Sequence, residues 1–193
     1  ELRRIGELLR MRFTFGDPNR RLGALYPSVR WCFTRAFVVA SIALFAVYAV
    51  IVTTQARAYS DALAASFSPG TLTPWTVTVV LLTFALLTLI HELGHAFACK
   101  HFGGDVNEMG FMLLLFMPAF YANVNDAWTF PELRARLWVT AAGVWIAGVV
   151  ATLAGLVWWI ADPGTLLSQV ALLAFLFGGI FSVLTNANPL IPL

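Results

Sequence analysis

Four stretches of this sequence run without Asp, Glu, Lys or Arg for long enough to cross a lipid bilayer. A spanning α-helix needs about 20 predominantly apolar residues, because the hydrocarbon core leaves no water to satisfy any other backbone. Ala36–Ala56 is the first such run. Ala62–Ile90 is the second, but Ser66, Ser68, Pro69, Gly70, Thr71, Thr73 and Pro74 mark its first part as loop, so a helix is expected from near Trp75 through His91 to about Cys99. Leu137–Ala161 is the third, and Leu166–Thr185, after the turn Asp162-Pro163-Gly164, is the fourth. Composition agrees. The 193 residues are 60% hydrophobic and 11% charged, against about 45–50% and about 25% for soluble domains. Such a chain cannot clothe a water-facing surface, which excludes a soluble domain and disorder alike. Two cysteines, Cys32 and Cys99, exclude a disulfide scaffold. The expected fold class is an all-α multi-pass membrane protein with about four transmembrane helices. With no initiator Met and an apolar run up to Leu193, the sequence reads as a segment of a longer protein.

Charge sets the expected orientation. Eight of the twelve basic residues are arginines within Glu1–Arg35. Ahead of a long apolar run, this basic stretch reads as a cytosolic juxtamembrane flank rather than a nucleic-acid surface. That run is too long for a signal-peptide core. Two regions follow: residues 1–35 as the flank and residues 36–193 as the membrane-embedded core. The loop after the first helix has only Arg57, and the loop after the second has Lys100, Arg134 and Arg136. The bias predicts a cytosolic N-terminus and four crossings of the cell membrane. Gly110–Ala122 is apolar, too short to span and interrupted by Pro118. It reads as a re-entrant or interfacial segment between helices two and three.

The chemistry concentrates at His91-Glu92-Leu93-Gly94-His95, an H-E-x-x-H sequence. Residues four apart share a helix face, so the two imidazoles can bind one Zn²⁺. Glu92, at the edge of that face, is placed to act as general base on a metal-activated water. A simpler reading is a helix end whose polar residues sit at the membrane interface. Against it, the three ionisable residues follow sixteen uncharged ones, Trp75–Ile90, and each costs kilocalories in lipid unless it faces a polar cavity. Two ligands do not complete a catalytic zinc site, which usually has three plus water. Cys99 lies about 12 Å along the axis from His91 and reads as a buried small residue, with His101 as an interfacial polar one. Asp126 and Glu132 lie on the following loop and are not favoured as ligands.

His91–His95, Ala96 and Phe102-Gly103-Gly104-Asp105-Val106-Asn107-Glu108-Met109-Gly110 together resemble the site-2 protease family of intramembrane zinc metalloproteases, in its bacterial branch of peptide zinc metalloproteases. Tyr121–Trp128 resembles that branch's Tyr-x-Asp-x-x-Asp-Ala-Trp, with Asn123 in place of the first Asp. Ala141-Ala142-Gly143 resembles the start of its next core helix, and Asn186-Ala187-Asn188-Pro189 the lead-in to its Asp-Gly. The resemblance implies zinc on His91 and His95, Glu92 as general base, and a third ligand, an Asp, just beyond Leu193. It also implies that Asn186, and less directly Asn188, holds substrate backbone or the oxyanion; the competing reading is a polar cap where the helix ends ahead of Pro189. Gly110–Ala122 resembles the family's re-entrant β-hairpin, whose edge could add a substrate strand.

The function expected is a membrane-embedded zinc endopeptidase of membrane proteins or peptides, residing in the bacterial inner membrane. The alternative is a non-catalytic membrane module of a peptide-maturation or export assembly, with a secretion-type adaptor as partner. Metal transport fits less well, since the polar residues concentrate on one span. An intact Glu92 favours the enzyme, because a site that only binds zinc has no need of it.

Overall fold

The computed structural model describes residues 12–114 and 117–186. The chain runs β1 (Arg12–Thr14), α1 (Pro18–Val29), a 3-10 turn (Arg30–Phe33), α2 (Arg35–Thr54), α3 (Ala56–Ser66) and α4 (Pro74–His101). It continues through β2 (Glu108–Leu114), β3 (Met117–Asn123), a second 3-10 turn (Asn125–Thr129), α5 (Leu133–Ile160), α6 (Leu166–Phe175), a π-helical turn (Leu176–Phe181) and α7 (Ser182–Asn186). Four helices are long and apolar enough to cross a membrane: Arg35–Thr54, Pro74–His101, Leu133–Ile160 and Leu166–Leu184. The protein is thus a membrane-embedded helical chain with one small sheet.

Local chemistry places the helix ends. Thr73 caps α4 by accepting the Thr76 N–H at 3.2 Å, and Pro74 supplies a first-turn residue that needs no donor. Lys100 and His101 occupy the last turn, where cations suit the negative end of the helix dipole. Gly103, at φ +85°, then reverses the chain, as a left-handed residue after a helix does. Asp17 caps α1 through the Arg20 N–H at 3.1 Å. Ala56–Ser66 is helical where a loop between the first two spans is expected. Alanines at 56, 58, 62, 64 and 65 favour that helix.

The sheet has the order β1-β2-β3, antiparallel throughout. Met109 faces Ala122, Phe111 faces Phe120, and Phe13 of β1 faces Phe111. One face therefore gathers Phe13, Phe111 and Phe120, with ring centroids 6.4 and 5.6 Å apart. The other gathers Thr14, Glu108 and Tyr121, where the Tyr121 hydroxyl donates to Glu108 at 2.6 Å. The expected segment Gly110–Ala122 is a β-hairpin, longer by two residues at its start and one at its end. Its third strand comes from the basic flank, which is expected only as a juxtamembrane segment.

By packing the chain forms two units, residues 12–38 with 88–146 and residues 39–87 with 147–186. The first has a core of Leu22, Ala96, Ala98, Cys99, Val106, Ala127, Val139 and Ala142. In it α4 and α5 cross closely: a Cβ on Gly94 would stand 2.8 Å from the Ala142 carbonyl oxygen. In the second unit Tyr59 packs edge-on against Phe175 at 4.8 Å and Trp158 at 5.8 Å. There Phe84 meets Phe177 and Phe181.

Candidate active site

His91, Glu92 and His95 lie on the last third of α4, within the first unit. One turn of helix brings the two imidazoles together, with Nε2 of His91 and Nε2 of His95 3.0 Å apart and the ring planes at 74°. His95 Nδ1 lies 2.7 Å from the Val139 carbonyl oxygen. A carbonyl only accepts, so Nδ1 carries the proton and Nε2 presents its lone pair toward His91. This partner fixes the ring's tautomer and orientation, as outer partners of metal-binding histidines do.

Gly143 completes the arrangement. It lies one turn beyond Val139 on the same face of α5. A Cβ there would meet His95 Nε2 and come within 2.6 Å of His91 Nε2 and 2.7 Å of His95 Cδ2. The missing side chain keeps open the space beside both nitrogens. Two nitrogens each about 2.0–2.1 Å from a tetrahedral zinc stand about 3.3 Å apart, so the pair fits such an ion after a small opening. Among the described residues no group of three or more His, Cys, Asp or Glu could hold a metal; two imidazoles are what this part of the chain supplies.

Glu92 points to a different neighbour. Its Oε2 accepts the backbone N–H of Ala122 at 2.9 Å. Ala122 is on β3, the edge strand of the sheet among the described residues. The hairpin edge and the motif helix are therefore joined at the carboxylate. Sequence reasoning placed the motif and the hairpin separately but gave no sign of this bond, because a backbone donor leaves no residue signature. Gly143 was visible only as part of a resembling tripeptide, and the Val139 carbonyl not at all.

Three other candidates, Cys99, His101 and Asp126, make packing or hydrogen-bond contacts of their own. Cys99 is fully buried, with Sγ 3.7 Å from the Asp105 carbonyl. The Tyr26 hydroxyl is 2.7 Å from His101 Nδ1, and the His101 ring stacks on Phe33 at 4.6 Å. Asp126 Oδ2 accepts the Asp105 N–H at 3.0 Å, and Glu132 is exposed. Asp105 itself takes hydrogen bonds from Lys100 Nζ at 3.0 Å and Asn19 Nδ2 at 2.9 Å, which hold its carboxyl below the usual carboxylate range. Asn186 ends α7, and Asn188 lies outside the described residues.

Comparison with known proteins adds one relationship. No family model matches the chain, and no solved structure matches it. A stretch of 56 residues is 30% identical to the Bacillus subtilis (strain 168) protein named "Putative peptide zinc metalloprotease protein YydH". The match covers 28% of this chain and 22% of that relative's length. The relationship is distant and partial.

Proposed function

We propose that this chain carries part of the active site of a membrane-embedded zinc endopeptidase. The observation that carries the reading is the pair of imidazole Nε2 atoms 3.0 Å apart above a glycine whose Cβ would fill the space before them. The name of the Bacillus relative supports the same class of activity.

His91 and His95 are the proposed zinc ligands, and the ion, when bound, supplies a Lewis acid that lowers the pKa of a water to about 7. Glu92 is the proposed general base. With one carboxylate oxygen held by the Ala122 N–H, the group is oriented, and it takes a proton and returns it to the departing amine nitrogen. The outer edge of β3 is the proposed docking line for an extended substrate. Ala122 directs its N–H outward to Glu92; by the alternation of a strand, Phe120 two residues earlier directs its N–H and C=O to the same side. A substrate strand added there leads past the carboxylate. A transmembrane substrate must unwind to present such a strand. Asn186 and Asn188 are proposed to hold substrate backbone or the oxyanion, following the resemblance of their segment. The proposed orientation keeps the N-terminus cytosolic, with the site at the cytosolic end of α4.

The test is Glu92→Gln in the full-length protein with a cleavable membrane substrate. Proteolysis should fall about 100-fold or more, the usual share of an acid–base group, while zinc content stays at wild type. Activity within a few-fold of wild type would sink the catalytic assignment and leave the reading of a non-catalytic export or peptide-maturation module.

A further inference from the structure

Within the first unit, behind the motif helix, lies a second feature with no part in the proposed reaction. It is an apolar cavity of ≈ 180 Å³ walled by three pieces of chain. Ile90, Leu93, Gly94 and Phe97 come from α4, and Trp138, Ala142, Trp145 and Ile146 from α5. Val29, Cys32, Phe33 and Phe37 come from the corner between α1 and α2. At 100° per residue the α4 liners occupy a face beside, not on, that of His91 and His95. Burial raises the Cys32 thiol above its ordinary range, so every wall residue is neutral.

The corner that forms the third wall also carries charge. Arg30 and Arg35 bracket Cys32 and Phe33 in sequence and are exposed. Neither pairs with a carboxylate among the described residues. The corner is held in shape by the Thr34 hydroxyl, which donates to the Trp31 carbonyl at 2.7 Å and accepts the Phe37 N–H at 3.3 Å. Trp31, 57% exposed, packs edge-on against Phe37 at 5.1 Å. Apolar residues thus turn inward while two guanidiniums and an indole turn outward. Arg and Trp at one level are the signature of a membrane–water interface, and basic corners between membrane helices recognise anionic lipid headgroups.

We propose that this cavity is a binding site for one anionic phospholipid, with part of an acyl chain between α4 and α5 and the phosphate on Arg30 and Arg35. An acyl chain matches the uncharged wall, and a phosphate matches the two cations that meet no carboxylate among the described residues. Neither half alone specifies the ligand. A bulk apolar chain has no use for the arginines, and a free phosphate has none for the cavity. Because Gly94 and Ala142 belong both to the wall and to the α4–α5 crossing, the bound chain braces the helices that carry the imidazoles.

Native mass spectrometry tests this on the detergent-purified chain offered equal phosphatidylglycerol and phosphatidylcholine with identical acyl chains. One phosphatidylglycerol per chain should be retained in preference. Arg30→Gln with Arg35→Gln should remove that preference, at about fivefold per arginine. Val29→Phe, which fills the cavity from its corner wall, should lower retention while both arginines remain. Equal retention of the two lipids by the wild type, or a preference that survives the double arginine variant, would overturn the proposal. The arginines are exposed, so their variant stays informative if Val29→Phe fails to fold; a folded Val29→Phe with unchanged retention would also overturn it. None of these readouts involves proteolysis or zinc.

Discussion

At the residue scale the candidate site turns on a side chain that is absent. His91, Glu92 and His95 were legible in the sequence because ionisable groups in an apolar helix stand out and their spacing has one geometric meaning. Gly143 was not legible as a site residue, because a glycine in a helix has several explanations and only the neighbouring helix selects one. The structure places its missing Cβ within 2.6 Å of His91 Nε2. Gly143→Ala should therefore force the imidazoles apart or back. Overpacking of this kind costs about 1–3 kcal/mol, which corresponds to zinc affinity lower by about 5- to 150-fold. Competition with a chromogenic chelator measures it. Unchanged affinity would mean that both nitrogens lie clear of position 143 in the protein. Val139 belongs to the same set, since its carbonyl fixes the His95 tautomer at 2.7 Å, yet no substitution of its side chain removes that oxygen.

At the element scale the spans were legible and the sheet only in part. Uncharged length gave α2, α4, α5 and the last span to within a few residues, because lipid demands one unbroken apolar stretch for each crossing. Pro118 and a length too short to span marked a segment that does not cross, while its hairpin form came only from the family resemblance. The strand Arg12–Thr14 was not legible, because three residues among arginines are too few to carry an alternation; it forms because β2 offers an edge and Gly110 lets Phe13 approach. The tie between Ala122 and Glu92 gives the hairpin a testable duty. Ala122 spends its N–H on Glu92 and not on β2, so Ala122→Pro removes that bond while an edge strand tolerates the proline. A hydrogen bond to a charged group contributes about 1.5–3 kcal/mol. Proteolysis should fall about 10- to 100-fold with zinc retained, and Ala122→Gly, which keeps the N–H, should stay near wild type. Equal losses in both variants would assign the effect to packing. A similar tie holds α1. Asn19 Oδ1 accepts from Lys100 Nζ at 2.8 Å and from the Val106 N–H at 3.3 Å, and its amide donates to Asp105. Asn19→Ala should destabilise the first unit, since it leaves the Val106 N–H without this partner, read as faster cleavage of α1 by added protease. The pH sense follows from Asp105. Its carboxyl titrates below its unfolded value, so its share of this tie is present above about pH 4, the unfolded value, and fades as acid drives the pH down through the folded one. Cleavage of α1 in the wild type should accordingly be flat through neutral pH and rise only in acid.

At the scale of the whole molecule, the placing of charge relative to the apolar helices yields a testable expectation for which end of each helix meets which side of the membrane. The described arginines of the N-terminal region, Arg12, Arg20, Arg21, Arg30 and Arg35, all precede or open α2. Lys100 ends α4, and Arg134 and Arg136 open α5. The opposite ends carry only Arg57 near α2 and no basic residue between α5 and α6. Cationic side chains resist transfer across the membrane during insertion, so the ends rich in arginine and lysine should face the cytosol. The helices span the required distance, since 20 residues of α2 measure about 30 Å and 28 residues of α4 or α5 about 42 Å. The motif histidines, six to ten residues from the end of α4, then lie about 9–15 Å from the Lys100–His101 end, within reach of cytosolic water. Single cysteines at two exposed positions test the orientation. Ser28→Cys on α1 and Ser60→Cys on α3 are separated by one crossing, α2. In a Cys32→Ala background, with Cys99 buried, a membrane-impermeant maleimide added to intact cells should label position 60 and spare position 28. Inverted vesicles should reverse the pattern. Labelling of both positions from one side would overturn the crossing of α2, and a reversed pattern in both preparations would turn the molecule over and move the motif histidines to the opposite face of the bilayer.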